Sequence, residues 1–307
     1  TSSMGFTVID PGGDKSDDVI KRADLALFHA KNEGRDHIVA FDASLQEQAA
    51  LRLLVEQDMP RGLREGEFIP YYQPIVGRDG ECLGAEALVR WQHPERGMVS
   101  PAQFIPVAEE SGLIHELGEA MLRQVCWQLV DWSGHPVTAP LVCSVNVSAR
   151  QFRSIGFVDR VHGIVEETGV NPARLRLEVT ESLLVDDVEV TIQRMDALRA
   201  VGMTFALDDF GTGYSSLAYL KRLPLDVLKI DQSFVRGLPW DKDDAAIVQT
   251  ILALAGSMGL DCIAEGVETD AHHQYLTREG CLRFQGYLYS RPVPAEAFEA
   301  ALGTTAR

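Results

Sequence analysis

From Phe68 onward the chain repeats one pattern: a short apolar run that ends in polar residues, followed by a stretch with helical spacing. The apolar runs cover 68–76, 83–91, 141–147, 175–180, 204–207, 227–230, 261–264 and 284–289. Strand-like runs alternating with helical segments predict an α/β fold, a (β/α)8 TIM-like barrel. One joint departs from the alternation. Only Gly77-Arg78-Asp79-Gly80-Glu81-Cys82 separates the first two runs. That suits a hairpin and is too short for a parallel crossover, so the barrel is expected to have an antiparallel first strand. Residues 1–42 read differently: a strand-like run over 5–9, a polar turn, then a helical pattern over 17–33 with Gly34 where a C-cap belongs. About 40 residues hold too little for a core of their own. A second helical stretch, 44–64, leads into the body, which dissects the chain into 1–42, a linker helix over 43–64, and a barrel over 65–307.

Charge narrows the chemistry. The 307 residues carry a formal net charge of -17. A general binder of DNA or RNA would present a basic face, so no nucleic-acid polymer is expected as partner. A phosphate substrate stays compatible if divalent cations lie between it and the carboxylates. No apolar run reaches the roughly 18 residues of a membrane span, and the N-terminus shows no signal-peptide pattern, so the expected location is cytoplasmic. Cys82, Cys126, Cys143, Cys262 and Cys281 form no Cys-x-x-Cys pair and read as buried thiols of a reducing compartment.

Barrel chemistry gathers at the C-terminal ends of the strands. Those positions hold Glu86 within the second strand, Asn146 after the third, Glu178 and Glu181 at the fourth, and Asp208-Asp209 at the fifth. Lys229 and Asp231 mark the sixth, Glu265 and Glu268 the seventh, and Gln285 opens the eighth. Carboxylate and amide oxygens are the ligands Mg2+ or Mn2+ prefer. Singly, each feature has a plainer reading: a helical Glu-Ala-Leu, a solvated Asp-Asp turn, a surface Lys/Asp pair. Glu178 resists that treatment, because a carboxylate amid Leu175-Arg176-Leu177 and Val179 is costly to bury unless paired or metal-bound. Adjacent aspartates at one strand end suit two cations sharing a bridging carboxylate. The following Gly211-Thr212-Gly213-Tyr214-Ser215-Ser216 reads as a rim loop. His272-His273 reads as a solvated helix face, Trp127 and Trp132 as core, Ser100-Pro101 as a helix start, and Gly12-Gly13-Asp14-Lys15 as a turn.

At these residues the chain resembles the EAL family of c-di-GMP phosphodiesterases over roughly 51–302. The stretches that carry the likeness are Tyr72-Gln73-Pro74, Glu86-Ala87-Leu88-Val89-Arg90, Asn146-Val147-Ser148, Glu178-Val179-Thr180-Glu181, Asp208-Asp209-Phe210-Gly211, Lys229-Ile230-Asp231, Glu265-Gly266-Val267-Glu268 and Gln285-Gly286-Tyr287. The resemblance implies that Glu86, Asn146, Glu178 and Asp208 bind one metal, and that Asp208, Asp209 and Glu265 serve a second. Lys229 would hold the attacking water, with Asp231 orienting it, and Glu181 would brace the rim loop, which the family couples to homodimerisation. Arg90 would meet a substrate phosphate; Gln73, Glu268 and Gln285 would line the nucleotide's groove. The implied reaction converts c-di-GMP to linear pGpG with two divalent cations, Mg2+ or Mn2+, and with Ca2+ inhibitory. Leu282 departs from the family, which usually has Asp after Gly-Cys. Residues 1–42 resemble the C-terminal end of a GGDEF domain through Ala23-Asp24-Leu25-Ala26 and its continuation, without the signature loop, which implies a parent protein with GGDEF and sensory domains.

Three functional classes use this inventory: an active phosphodiesterase, a non-catalytic c-di-GMP sensor, and an enolase-type barrel that abstracts a proton next to a carboxylate. No catalytic position of the family pattern is substituted here, which favours the first over the second. The adjacent aspartates weigh against the third.

Overall fold

In the computed structural model, which describes residues 2–10, 12–13, 15–32, 36–184, 187–211 and 217–305, the strand-like run expected over 5–9 is a strand only at its start, β1 (Met4–Phe6). It pairs in parallel with β2 (Ile38–Ala40), with the helix Ser16–Asn32 packed closely enough that a Cβ on Gly5 would meet Leu27 N at 2.0 Å. β2 was not expected from the sequence, and the expected C-cap at Gly34 lies outside the described residues. The helices Ala43–Glu65 and Pro101–Ser111 join these strands in one unit, Thr1–Glu65 with Ser100–Leu113. Ser100 and Pro101 do start a helix, although the serine side chain makes no capping hydrogen bond. The second unit is Gly66–Val99 with Ile114–Arg307.

The second unit is a closed eight-stranded barrel. Its strands are β3 (Phe68–Gly77), β4 (Cys82–His93), β6 (Val142–Asn146), β7 (Leu175–Thr180), β8 (Thr204–Phe210), β9 (Val227–Ile230), β10 (Asp261–Ala264) and β11 (Arg283–Phe284); a short β5 (Gly97–Val99) adds to the outer end of β4. Pairing runs β3-β11-β10-β9-β8-β7-β6-β4 and closes through β3 with β4. β3 is antiparallel to both neighbours, as the six-residue joint predicts, while the other barrel pairs are parallel.

Two parts of the sequence reading change. The run over 284–289 pairs as a strand only at Arg283–Phe284. Gly286 passes so close to Val267 that a Cβ there would meet its backbone at 2.2 Å, and the chain turns away, with Tyr289 N–H donating to Gly286 O. Gln285 therefore follows the eighth strand instead of opening it. In the helix Ile114–Ser133, the buried stripe is Leu117, Met121, Leu122, Val125, Leu129 and Trp132. Trp127 lies off that stripe and is 46% exposed.

Side chains alternate between the barrel interior and the helical layer. Ile75, Ala206, Val227 and Ile263 form their own buried cluster. Two residues on toward the C-terminal ends of β8, β9 and β10 stand Asp208, Lys229 and Glu265; two residues back along antiparallel β3 stands Gln73. An apolar layer thus supports a charged one. The intervening residues, among them Leu177, Val179, Leu207 and Leu228, pack outward into the main core with the helices.

Candidate active site

Lys229 Nζ lies at the centre of the charged layer, with the residue fully buried. It is 2.5 Å from Glu178 Oε2, 2.5 Å from Glu265 Oε1, 3.1 Å from Asp208 Oδ1 and 3.3 Å from Glu86 Oε2. Burial alone would strip its proton, but Glu178, Glu265, Glu86 and Asp208 outweigh it and hold the ammonium well above its ordinary value.

The carboxyl groups do not share one fate. Burial pushes Glu178 up to about 8, with Glu86 and Asp208 adding to the effect, and it lifts Glu265 well above the carboxylate range. Burial would raise Glu86 as well. There Lys229 and hydrogen bonds from Gln285 Nε2 (2.6 Å) and Asn146 Nδ2 (2.6 Å) win, holding it below its usual value. Asp209 has φ 54, the left-handed region where a side chain is rarely found, and its N–H donates to Asp208 Oδ1 at 3.0 Å. Burial, then Asp208 and Asp231, push Asp209 up to about 6.

The donor set fits a hard divalent cation. Glu86, Glu178, Asp208, Asp209, Asp231 and Glu265 bring six carboxyl groups against one ammonium, and oxygens of Asp208, Asp209 and Glu265 all lie within 4.8 Å of one another. Glu178 Oε1 is buried with no hydrogen-bond partner, which is costly unless a cation meets it. All these donors are oxygens, as Mg2+ or Mn2+ require.

A cavity of about 240 Å3 opens above the cluster, lined by Gln73, Glu86, Arg90, Asp208, Glu265, Glu268 and Gln285. Gln285 Nε2 also donates to Gln73 Oε1 at 3.0 Å, while Gln73 Nε2 donates to Ser290 O at 3.0 Å. Arg90 stands over the Tyr71 ring at 5.7 Å. Glu181 is away from the cluster; its Oε1 accepts the Gly211 N–H at 2.9 Å, at the start of the expected rim loop, whose residues 212–216 lie outside those described. Asp231 caps the helix Gln232–Arg236 by accepting from Ser233 N at 3.0 Å.

The sequence reading missed Gln232, Tyr287 and Pro292, which also line the cavity. Gln232 directly follows Asp231 and so carried a signal; Tyr287 comes to the cavity through the turn at Gly286, which no local pattern announced. It also misplaced His272. With Tyr275 and Leu276 this residue forms the buried stripe of the helix Asp270–Arg278, and its Nδ1 accepts the Glu268 N–H at 3.4 Å. His273 is partly buried too, its Nδ1 2.7 Å from Tyr289 Oη.

With this geometry in hand, the comparisons are specific. The family described as EAL domain matches residues 56–292. The chain is 41% identical over 305 residues to the bifunctional diguanylate cyclase/cyclic di-GMP phosphodiesterase MucR of Pseudomonas aeruginosa, covering 98% of this chain and 44% of that protein. It is 39% identical, also over 305 residues, to the cyclic di-GMP phosphodiesterase NbdA of the same organism, covering 98% of this chain and 39% of that one. The chain thus spans less than half the length of these relatives. Among solved structures, the PaMucR phosphodiesterase in complex with c-di-GMP matches with a TM-score of 0.76 and 43% identity, over 80% of this chain and 99% of that one.

Proposed function

The chain belongs to the EAL domain family, and from that premise we propose that it is a cation-dependent phosphodiesterase that opens c-di-GMP to linear pGpG. The observation that carries the reading is the buried Lys229 among Glu86, Glu178, Asp208 and Glu265 at the mouth of the barrel, beneath a cavity lined by Arg90, Gln73 and Gln285.

Glu86, Asn146, Glu178 and Asp208 would hold one divalent cation, and Asp208, Asp209 and Glu265 a second. Such a pair, Mg2+ or Mn2+, supplies Lewis-acid charge that acidifies a water and steadies both oxygens of an in-line displacement. The chain's own groups do the rest. Lys229, kept protonated by its neighbours, holds the attacking water and the charge that grows on phosphorus oxygen. Asp231 and Glu265 orient that water. Arg90 faces the cavity from β4 and pairs with a phosphate; Gln73, Glu268 and Gln285 fix the nucleotide. The water oxygen bonds to phosphorus as the P–O3′ bond breaks, leaving a 5′-phosphate on one guanosine. Glu181 anchors the rim loop at Gly211, through which activity is coupled to a homodimer.

The chain organisation belongs to the same proposal: 1–42 as the remnant of a GGDEF-like domain, 43–64 as a linker helix, and 65–307 as the catalytic barrel of a longer cytoplasmic-facing protein. Among the described residues no helix is long and apolar enough to cross a membrane. Incubating the purified chain with c-di-GMP and Mg2+ or Mn2+, and identifying the product by chromatography, tests the reading. Formation of pGpG supports it; intact c-di-GMP, bound or unbound, defeats it.

A further inference from the structure

A cavity of about 610 Å3, larger than the one at the active site, lies at the opposite end of the barrel. It opens where β10 and β11 begin, with Leu252, Ala255 and Gly256 of the helix Lys242–Met258 on one wall and Asp261, Cys262 and Arg283 on the other. Ile263 points into the barrel with the interior cluster, so Cys262, its neighbour on the strand, points outward toward this helix and lines the cavity.

Behind Cys262 is Cys281, fully buried. Ile263 pairs with Arg283, which puts Cys262 beside residue 282 and diagonal to Cys281. Cys281 lies in the loop just before β11, free of the strand's alternation, and its side chain reaches that of Cys262. The two thiols already share a hydrogen bond, and Cys281 Sγ lies 3.9 Å from Cys262 O. Both are free. Cys281 Sγ also donates to Arg283 O at 3.3 Å, so its thiol is held from both strands.

We propose that Cys262 and Cys281 are a modification site, a dithiol that a hydroperoxide entering through this cavity oxidises to an intramolecular disulfide. Cys262 is the sulfur the oxidant reaches. Its electron pair forms an S–O bond as the O–O bond breaks, giving a sulfenic acid and one molecule of water or alcohol. The Cys281 sulfur then attacks, the S–S bond forms, the S–O bond breaks, and the departing hydroxide takes the remaining thiol proton as water. Two thiols are oxidised by two electrons and one peroxide is reduced. The remaining cysteines, Cys82, Cys126 and Cys143, are elsewhere on the barrel and take no part.

The test is thiol mapping on the intact, reduced chain. After hydrogen peroxide, denaturation and alkylation, labelled thiols should fall from the five of the untreated chain to three, with a linked peptide joining Cys262 to Cys281 and recovery on adding dithiothreitol. In Cys281→Ser the linked peptide should vanish and Cys262 should be trapped by dimedone as a sulfenic acid. Five labelled thiols after peroxide, or a link that joins other cysteines or two chains, overturns the proposal. If the variant does not fold, the wild-type map decides alone.

Discussion

The two ends of the barrel treat charge in opposite ways. At the floor, where the parallel strands begin, Asp261 pairs with Arg283 at 2.7 Å and Asp226 with Arg199 at 3.1 Å, and Asp226 also accepts the Phe205 N–H at 2.9 Å. Buried Arg176 on β7 lies between the two ends, its charge facing Glu178 first and Asp261 and Asp226 after, with its Nε unpartnered. At the mouth, four carboxyl groups crowd a single ammonium with Asp209 and Asp231 close by, and Glu178 Oε1 has no partner. The same alternating strands build both ends, so the fold does not demand the imbalance. Charge that is matched within the chain belongs to stability; charge left unmatched belongs to something that binds there.

Removing the partner of that unmatched charge should have the largest effect. Excess EDTA should abolish c-di-GMP hydrolysis, and Mg2+ or Mn2+ should restore it. Ca2+ should not, because its longer bonds and looser coordination misplace the reacting water. Hydrolysis at full rate in stringently metal-free buffer would end the two-cation reading.

Substitutions within the mouth come next and separate its two kinds of member. Asp208→Asn should weaken cation binding and hydrolysis together. Lys229→Met should lower the rate by about 10²–10⁴-fold while c-di-GMP still binds in Ca2+. It also leaves buried carboxylates without their ammonium, a loss of up to about 3–5 kcal/mol in cation-free buffer. Protonation of Glu178, already pushed up to about 8, absorbs part of that cost. Divalent cations should therefore raise the melting temperature of Lys229→Met more than that of the wild type. Equal shifts would show that the lysine and the cations do not answer the same charge.

Most of this contrast could be read from the amino-acid order. Asp208, Lys229 and Glu265 each stand two residues beyond an interior apolar residue, and that period places them on the same face of three strands. The antiparallel start followed from the length of one loop. What stayed hidden depended on contacts distant in sequence. Gln285 looked like a strand residue because nothing local announces the close passage of Gly286 over Val267. His272 looked solvated because its neighbours are polar, although its spacing from Tyr275 and Leu276 marked a buried stripe. That Lys229 touches all four carboxylates, and does not only share their end of the barrel, could not be read, since Glu86 and Lys229 are 143 residues apart.

Glu181→Ala should have an intermediate effect. The carboxylate holds only the Gly211 N–H among the described residues, and Gly211 has φ 101, which glycine tolerates without the bond. Hydrolysis should fall about tenfold, about 1.4 kcal/mol of barrier, with a smaller change in melting temperature. A drop in stability with unchanged turnover would make Glu181 part of the scaffold and not of the site.

The smallest effect should come from the floor, and it tests the comparison from the other side. The Asp261–Arg283 pair is partly open to water, with side chains 51% and 29% exposed. Exposed pairs contribute about 0–1 kcal/mol, so Arg283→Gln should lower the melting temperature slightly and leave hydrolysis within about twofold. In 1 M salt, where the Debye length falls to about 3 Å, the difference between variant and wild type should shrink further. The strands make this a demanding test. Glu265 follows Asp261 by four positions at the end of β10, and Gln285 follows Arg283 by two at the end of β11. If the barrel passed strain from floor to mouth, these short rigid paths would carry it. A loss of turnover beyond tenfold in a variant that melts like the wild type would show that they do, and the matched floor would then be part of the active site's positioning.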